Sequence, residues 1–262
     1  MSEIDDKLYL ARVCHLSGLP EETLKYIEEV INLKNGDINE EEKNLLFNSL
    51  KTLINFRRES WRTINALESK EIKNNSILLP KVTELKLTLA DEIKKYINKG
   101  MELIDEKLLK DNISDELKVM YHKTKGDYLR YIIELTSKDK EEEINILKEK
   151  ADENYKIGLN FCESLSYMNS TKVSLILNYS VFLYEVIKDY KNAYILANNT
   201  YQSTMKSIND DNYDLLLLKD LNKMLNILKE NIGKWAETVV PENLDNIASD
   251  VQPENKDDSS PS

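Results

Sequence analysis

Four residues in one stretch of this sequence stand at spacings that could hold an anion. Lys51, Asn55, Arg58 and Arg62 are separated by steps of four, three and four positions, and on an α-helix such steps return to one face. Three cations and an amide in one column suit a multiply charged anion, because guanidinium forks meet phosphate oxygens bidentately and an ammonium adds a point charge. The same column, taken alone, is also an ordinary solvated helix face. Its meaning depends on whether the neighbouring elements build a groove around it.

Those elements read as helices throughout. The prolines are Pro20, Pro80, Pro241, Pro253 and Pro261, so positions 81–240 contain none and carry only Gly100, Gly126, Gly158 and Gly233. Proline-free sequence rich in Leu, Lys and Glu favours helix, and no Asn-Gly or Asp-Gly turn joins alternating strands. The first apolar pattern ends at Ser17-Gly18-Leu19-Pro20, where Gly18 suits a helix C-terminus and Pro20 the first turn of the next helix. A second helix runs from Glu21 to about Lys34. The third starts at Asn39 with Glu42 three residues on, a capping-box spacing. It carries the seam Leu46, Leu50, Leu53, Trp61 and Ile64, with Arg57 in an apolar slot. A fourth helix is expected over 81–110 with a weak point at Gly100, and a fifth from Ser114 to about Thr136. The fifth sets a polar column, Lys123, Asp127, Arg130 and Glu134, beside an apolar stripe. Amphipathic segments over about 140–162, 170–188, 190–207 and 211–236 bring the total to nine helices, antiparallel where their connections are short. The expected fold class is all-α.

Composition narrows the function. The 262 residues hold 36 Lys and Arg against 47 Asp and Glu, a formal charge of −11, which argues against nucleic-acid binding. Seven of the carboxylates and one lysine fall within 237–262, a local charge of −6. That acidic tail has too few large apolar residues to fold alone and is expected to stay disordered, beyond a helical domain covering 1–236. No apolar run approaches the ~20 residues that span a bilayer. The N-terminus has neither the basic nor the apolar region of a secretory leader, and Cys14 and Cys162 read as free thiols of a soluble cytoplasmic protein. His15 and His122, the only histidines, stand in no metal-ligand spacing, and no glycine-rich phosphate loop exists. No enzyme, metal or cofactor is expected.

Longer motifs then point to a family. Lys43-Asn-Leu-Leu-Phe-Asn-Ser-Leu-Lys51-Thr, followed by Arg57-Arg58-Glu-Ser-Trp61-Arg62, closely resembles the first signature of the 14-3-3 proteins. Lys125-Gly-Asp-Tyr-Leu-Arg130-Tyr131, Leu177-Asn178-Tyr-Ser-Val181-Phe-Leu-Tyr-Glu185 and Leu228-Lys-Glu-Asn231-Ile-Gly-Lys-Trp235 resemble three later motifs of that family in the same order. The resemblance covers about residues 8–236. It implies nine antiparallel helices forming a concave amphipathic groove, usually in a dimer, that docks phosphoserine or phosphothreonine segments of other proteins. Lys51, Arg58 and Arg130 would form the basic pocket, with Tyr131 donating its hydroxyl to the phosphate. Asn178 and Asn231 would hold the ligand's main chain, Glu185 and Trp235 would line the groove, and Leu177, Val181, Met224 and Ile227 would supply its apolar wall. Arg62 would support the pocket by ion pairing, and Asn55 becomes a departure from the family pattern.

Other departures are Phe56, Ser174, Asn48, Lys223 and Lys234, which bear on peptide preference more than on phosphate binding. The segment from Tyr213 to Asn231 is longer than usual. At the expected homo- or heterodimer surface, Leu19 or Gly18 replaces the family's arginine and Leu85 its tyrosine, while Glu92 remains. Ser60, in Arg57-Arg58-Glu59-Ser60, resembles a basophilic kinase site, and a phosphate there would repel a dimer partner. Ser260, next to Pro261 and the terminal Ser262, suggests a phosphorylated tail entering the chain's own groove or a neighbour's. The alternative is a helical scaffold that keeps the fold and binds unphosphorylated partners through an altered groove.

Overall fold

The computed structural model describes residues 2–74, 76–210 and 218–239. Among these residues nine α-helices form and no strand occurs: α1 (Glu3–Leu16), α2 (Pro20–Leu33), α3 (Glu40–Lys73), α4 (Leu79–Leu103), α5 (Asp115–Leu135), α6 (Glu141–Cys162), α7 (Ser170–Phe182), α8 (Tyr190–Asp210) and α9 (Lys219–Ala236). Two helices end in a π-helical turn, α4 over Ile104–Leu108 and α7 over Leu183–Ile187.

The boundaries follow local chemistry. Asn39 caps α3 by accepting from the Glu42 N–H while the Glu42 carboxylate accepts from the Asn39 N–H, the reciprocal arrangement expected from the sequence. Ser2 and Asp5 form the same box on α1. Pro20 stands in the first turn of α2. Gly18 and Gly36 adopt positive φ angles of 70° and 77°. Gly100, expected to weaken α4, lies buried inside an unbroken helix, because close burial tolerates the missing side chain that a solvated helix would not.

The chain divides into two compact units, one built from residues 1–114 and 131–144, the other from 115–130 and from 145 onward. In the first, ion pairs fix the register of neighbouring helices. Lys7 meets Glu29 across α1 and α2, and Lys34 meets Glu42 at 2.7 Å where α2 turns into α3. Glu68 pairs with Lys86 and accepts from Thr83, while eleven residues earlier Arg57 reaches Glu92, so α3 and α4 are antiparallel. Leu46, Leu50 and Ile54 of α3, Ile27 and Ile31 of α2 and Ile93 and Ile97 of α4 are buried and form the core. In the second unit, Tyr155 of α6 lies with Tyr179 and Phe182 of α7 at ring-centroid distances of 5.2 and 5.3 Å.

Gly36 yields a test of this packing. A Cβ there would stand 2.0 Å from the Lys107 carbonyl oxygen, whereas one at Gly18 would meet open space. Gly18→Ala should cost about 1 kcal/mol through the left-handed backbone alone. Gly36→Ala adds the backbone clash and should cost about 2 to 4 kcal/mol, read from denaturant unfolding.

Candidate anion-binding and peptide-binding site

The column that begins at Lys51 lies wholly on α3, and its members differ in their surroundings. Lys51 and Asn55 are exposed, and Lys51 forms no ion pair with any described residue. Arg58 is 9% exposed. Its guanidinium lies 3.5 Å from the centre of the Tyr131 ring, and its Nε and Nη2 donate to Glu134 at 3.1 and 2.6 Å. Arg62 donates to the other oxygen of the same carboxylate. Two guanidinium groups of the helix that carries Lys51 therefore share one carboxylate. The Arg58 Nη1 makes no hydrogen bond to a described residue. Burial pushes the Glu134 carboxyl up, but Arg62 and Arg58 outweigh it and hold the group below its usual range. Arg62 is thus ion-paired, as expected of it.

The second unit holds the other polar residues around a carboxylate that the sequence reading left without a role. Asp127, 6% exposed, accepts from Lys123 at 2.8 Å, from the Tyr155 hydroxyl at 2.7 Å and from the Asn178 amide through both oxygens, at 2.9 and 2.8 Å. The Arg130 guanidinium stands 3.7 Å away. Burial raises the Asp127 pKa, but Lys123 and Arg130, with hydrogen bonds from Lys123 and Tyr155, pull it down further and keep the group ionised. Burial and the neighbouring Asp127 push Tyr155 well above an ordinary phenol. The close approach depends on Gly126, where a Cβ would come within 2.8 Å of the Tyr155 ring. The consequence for Asn178 is directional. With its amide N–H₂ committed to Asp127, its carbonyl oxygen is the end that can accept from a peptide N–H.

The remaining residues divide by exposure. Leu177 is buried, Val181 is half-buried and Glu185 is exposed on α7. On α9, Met224 lines a 230 Å³ pocket with Met120, Lys123 and Ser174 among others. Ile227 is 47% exposed. Asn231 is half-buried. Trp235 is 6% exposed and stacked on Tyr184, 4.6 Å between centroids at 13°, so little of its indole faces outward. Arg130 and Tyr131 are consecutive residues of α5. Ser60 is half-buried, its hydroxyl donating to the Phe56 carbonyl at 3.1 Å. Ser260 lies outside the described residues.

Sequence reasoning placed Arg57 as a misfit in an apolar seam, and the structure accounts for it. Its guanidinium donates to Glu92 at 2.8 Å and to Glu21 at 2.9 Å and lies 4.9 Å from the Tyr96 ring centre. Glu92, considered as a dimer-pairing acid, therefore has a partner within its own chain. Asp127, Tyr155 and Glu134 were absent from the expected site. The signal for two of them was the α5 column of Lys123, Asp127, Arg130 and Glu134, which alternates in sign at helical spacing.

No group of three or more His, Cys, Asp or Glu among the described residues could hold a metal ion, and none of the described helices is long and apolar enough to cross a membrane.

Comparison with known proteins covers nearly the whole helical region. The family model described as 14-3-3 protein matches residues 10–236. A 14-3-3-like protein C from Glycine max is 29% identical over 242 residues, 90% of each chain. The 14-3-3 protein 3 of Entamoeba histolytica is 30% identical over 234 residues, 88% of this chain and 95% of that one. The checkpoint signal transducer rad25 of Schizosaccharomyces pombe is 30% identical over 235 residues, 85% and 83% of the two chains.

Proposed function

Because this chain belongs to the 14-3-3 family, whose members are non-enzymatic adaptors, we propose that it docks phosphoserine or phosphothreonine segments of client proteins and regulates those clients by holding them. Lys51, Arg58, Arg130 and Tyr131 take the phosphate. Asn178 and Asn231 hold the main chain, beside Leu177, Val181, Met224 and Ile227, with Glu185 and Trp235 at the groove's margin. The observation that carries this reading is Arg58: a buried guanidinium, stacked on Tyr131, sharing one carboxylate with Arg62 and keeping an N–H group for another acceptor. A phosphate dianion would supply that acceptor and bring a counter-charge to Lys51. The helical domain is residues 1–236, residues 237–262 form an acidic tail, and the protein acts in the cytoplasm.

The test is a degenerate phosphoserine peptide library against its unphosphorylated counterpart. Enrichment confined to the phosphorylated pool supports the reading. Equal capture of both pools favours the scaffold alternative, in which Asn55 and Ser174 select partners without phosphate.

The apolar residues exposed in the first unit fit a dimer contact, homo- or heteromeric. Tyr9, Val13 and Leu16 of α1 are 58, 40 and 86% exposed, Phe56 of α3 is 69% and Leu85 of α4 is 52%. Burying side chains of this size in a contact would stabilise it. Ser60 lies one turn from Phe56, so a charge there would enter that contact. Ser60→Asp should shift the protein to monomer in sedimentation velocity, and a variant that still sediments as a dimer would count against the placement.

A further inference from the structure

A second cavity, unrelated to the residues above, lies in the second unit between α6 and α8 with α7 as its floor. Its volume is about 650 Å³, within the range of small-molecule sites. Leu159, Ile176, Leu183, Ile195 and Leu196 supply an apolar body, and from Lys172 to Leu183 it follows α7 for about 16 Å.

Among the charged residues of this lining, Lys172 is the buried one. The residue is 7% exposed, and its ammonium lies 4.2 Å from the Tyr167 ring centre while donating to the Leu165 carbonyl oxygen at 2.8 Å. No carboxylate among the described residues pairs with it. The cavity's own acids are engaged or turned outward: Asp152 accepts from Lys156 at 2.6 Å and from Tyr179 at 2.8 Å, Asp189 accepts from Asn192, and Glu149 is exposed. Lys148 and Lys156, with these three acids, leave the rest of the lining without a positive excess. An ammonium taken from water without a counter-ion is unfavourable. Lys172 has three N–H groups, and the one protein acceptor within reach uses one.

We propose that this cavity binds a small amphipathic monoanion, an alkyl or aryl carboxylate, whose head group pairs with Lys172 and whose apolar body lies along Leu159, Ile176, Leu183, Ile195 and Leu196. The charge and the greasy cleft select together. A phosphate dianion would find one buried cation, and a neutral alcohol could accept a hydrogen bond from the ammonium but would leave its charge without a counter-ion.

The experiment uses the full-length chain and two probes, dodecanoate and dodecan-1-ol, titrated calorimetrically below the concentrations at which either aggregates. Dodecanoate should bind about tenfold more tightly than the alcohol, the difference expected of one charge-assisted hydrogen bond. Lys172→Met keeps the length and apolar stem of the side chain and should bring the acid down to the affinity of the alcohol. Leu196→Glu, at a half-exposed position that tolerates a longer side chain, places a carboxylate in the apolar wall and should weaken both probes, the acid more than the alcohol. Equal affinities of acid and alcohol for the unaltered protein would overturn the proposal, as would dodecanoate binding that survives Leu196→Glu. The second variant decides the matter even if Lys172→Met does not fold.

Discussion

Arg58→Ala is expected to lower affinity for a phosphoserine peptide by about a hundredfold or more, the loss of a charge-assisted contact of about 3 kcal/mol. The unphosphorylated peptide should be unaffected. The fold should survive, and the structure says why. Glu134, which Arg58 shares with Arg62, keeps Arg62 as its partner, so the substitution strands no buried charge. Arg58→Lys restores the charge but not the fork, and should recover only part of the affinity. Lys51→Glu is the sharper companion. Lys51 is exposed and pairs with no described residue, so reversing its charge should abolish phosphopeptide binding while leaving the unfolding midpoint nearly unchanged, measured by fluorescence anisotropy and by denaturation on one preparation.

Asp127→Ala should have the largest effect on stability, about 3 to 5 kcal/mol. The carboxylate neutralises Lys123 and Arg130 and accepts from Tyr155 and Asn178, so its removal takes that shared acceptor from the buried Tyr155 and from three half-buried donors. Asp127→Asn keeps the volume but turns a donor toward those donors and should recover little. The pH dependence has a definite sign. Despite burial, the folded pKa is held below the ordinary aspartate range by Lys123 and Arg130, so the carboxylate's contribution is complete above that range. It is lost as pH falls through the depressed folded pKa. The Ala variant should therefore differ most from the unaltered protein at neutral pH and converge with it in strong acid, as read from urea midpoints across pH. Because Asp127 also orients the Asn178 amide, any variant that folds should bind phosphopeptide more weakly.

The two networks differ in how far they could be read in advance. Capping at Asn39 and Glu42, the break at Gly18 to Pro20 and the apolar seams are local signals, and the helices form where those signals stand. The anion column was legible because one helix carries all of it. Its division was not: only tertiary contact shows that Arg58 and Arg62 converge on Glu134 while Lys51 stays alone. Asp127 is further from reach, since its partners come from α5, α6 and α7, and although its place between Lys123 and Arg130 marks it as charge-paired, nothing on that helix face hints that a tyrosine 28 positions on will bond to it. Arg57 is the instructive intermediate. Its misfit in the seam was visible in the sequence, and its resolution by Glu21, Glu92 and Tyr96 required the packing of α2 and α4 against α3.

The central claim is that phosphate, rather than peptide sequence, admits a client to this protein. Titration calorimetry with one peptide chosen from the library, in phosphorylated and dephosphorylated form, tests it most directly. The account expects micromolar or tighter binding of the phosphorylated form, no measurable heat from the other, and loss of the signal in Lys51→Glu. Equal affinity for both forms, unchanged in Lys51→Glu, would contradict it.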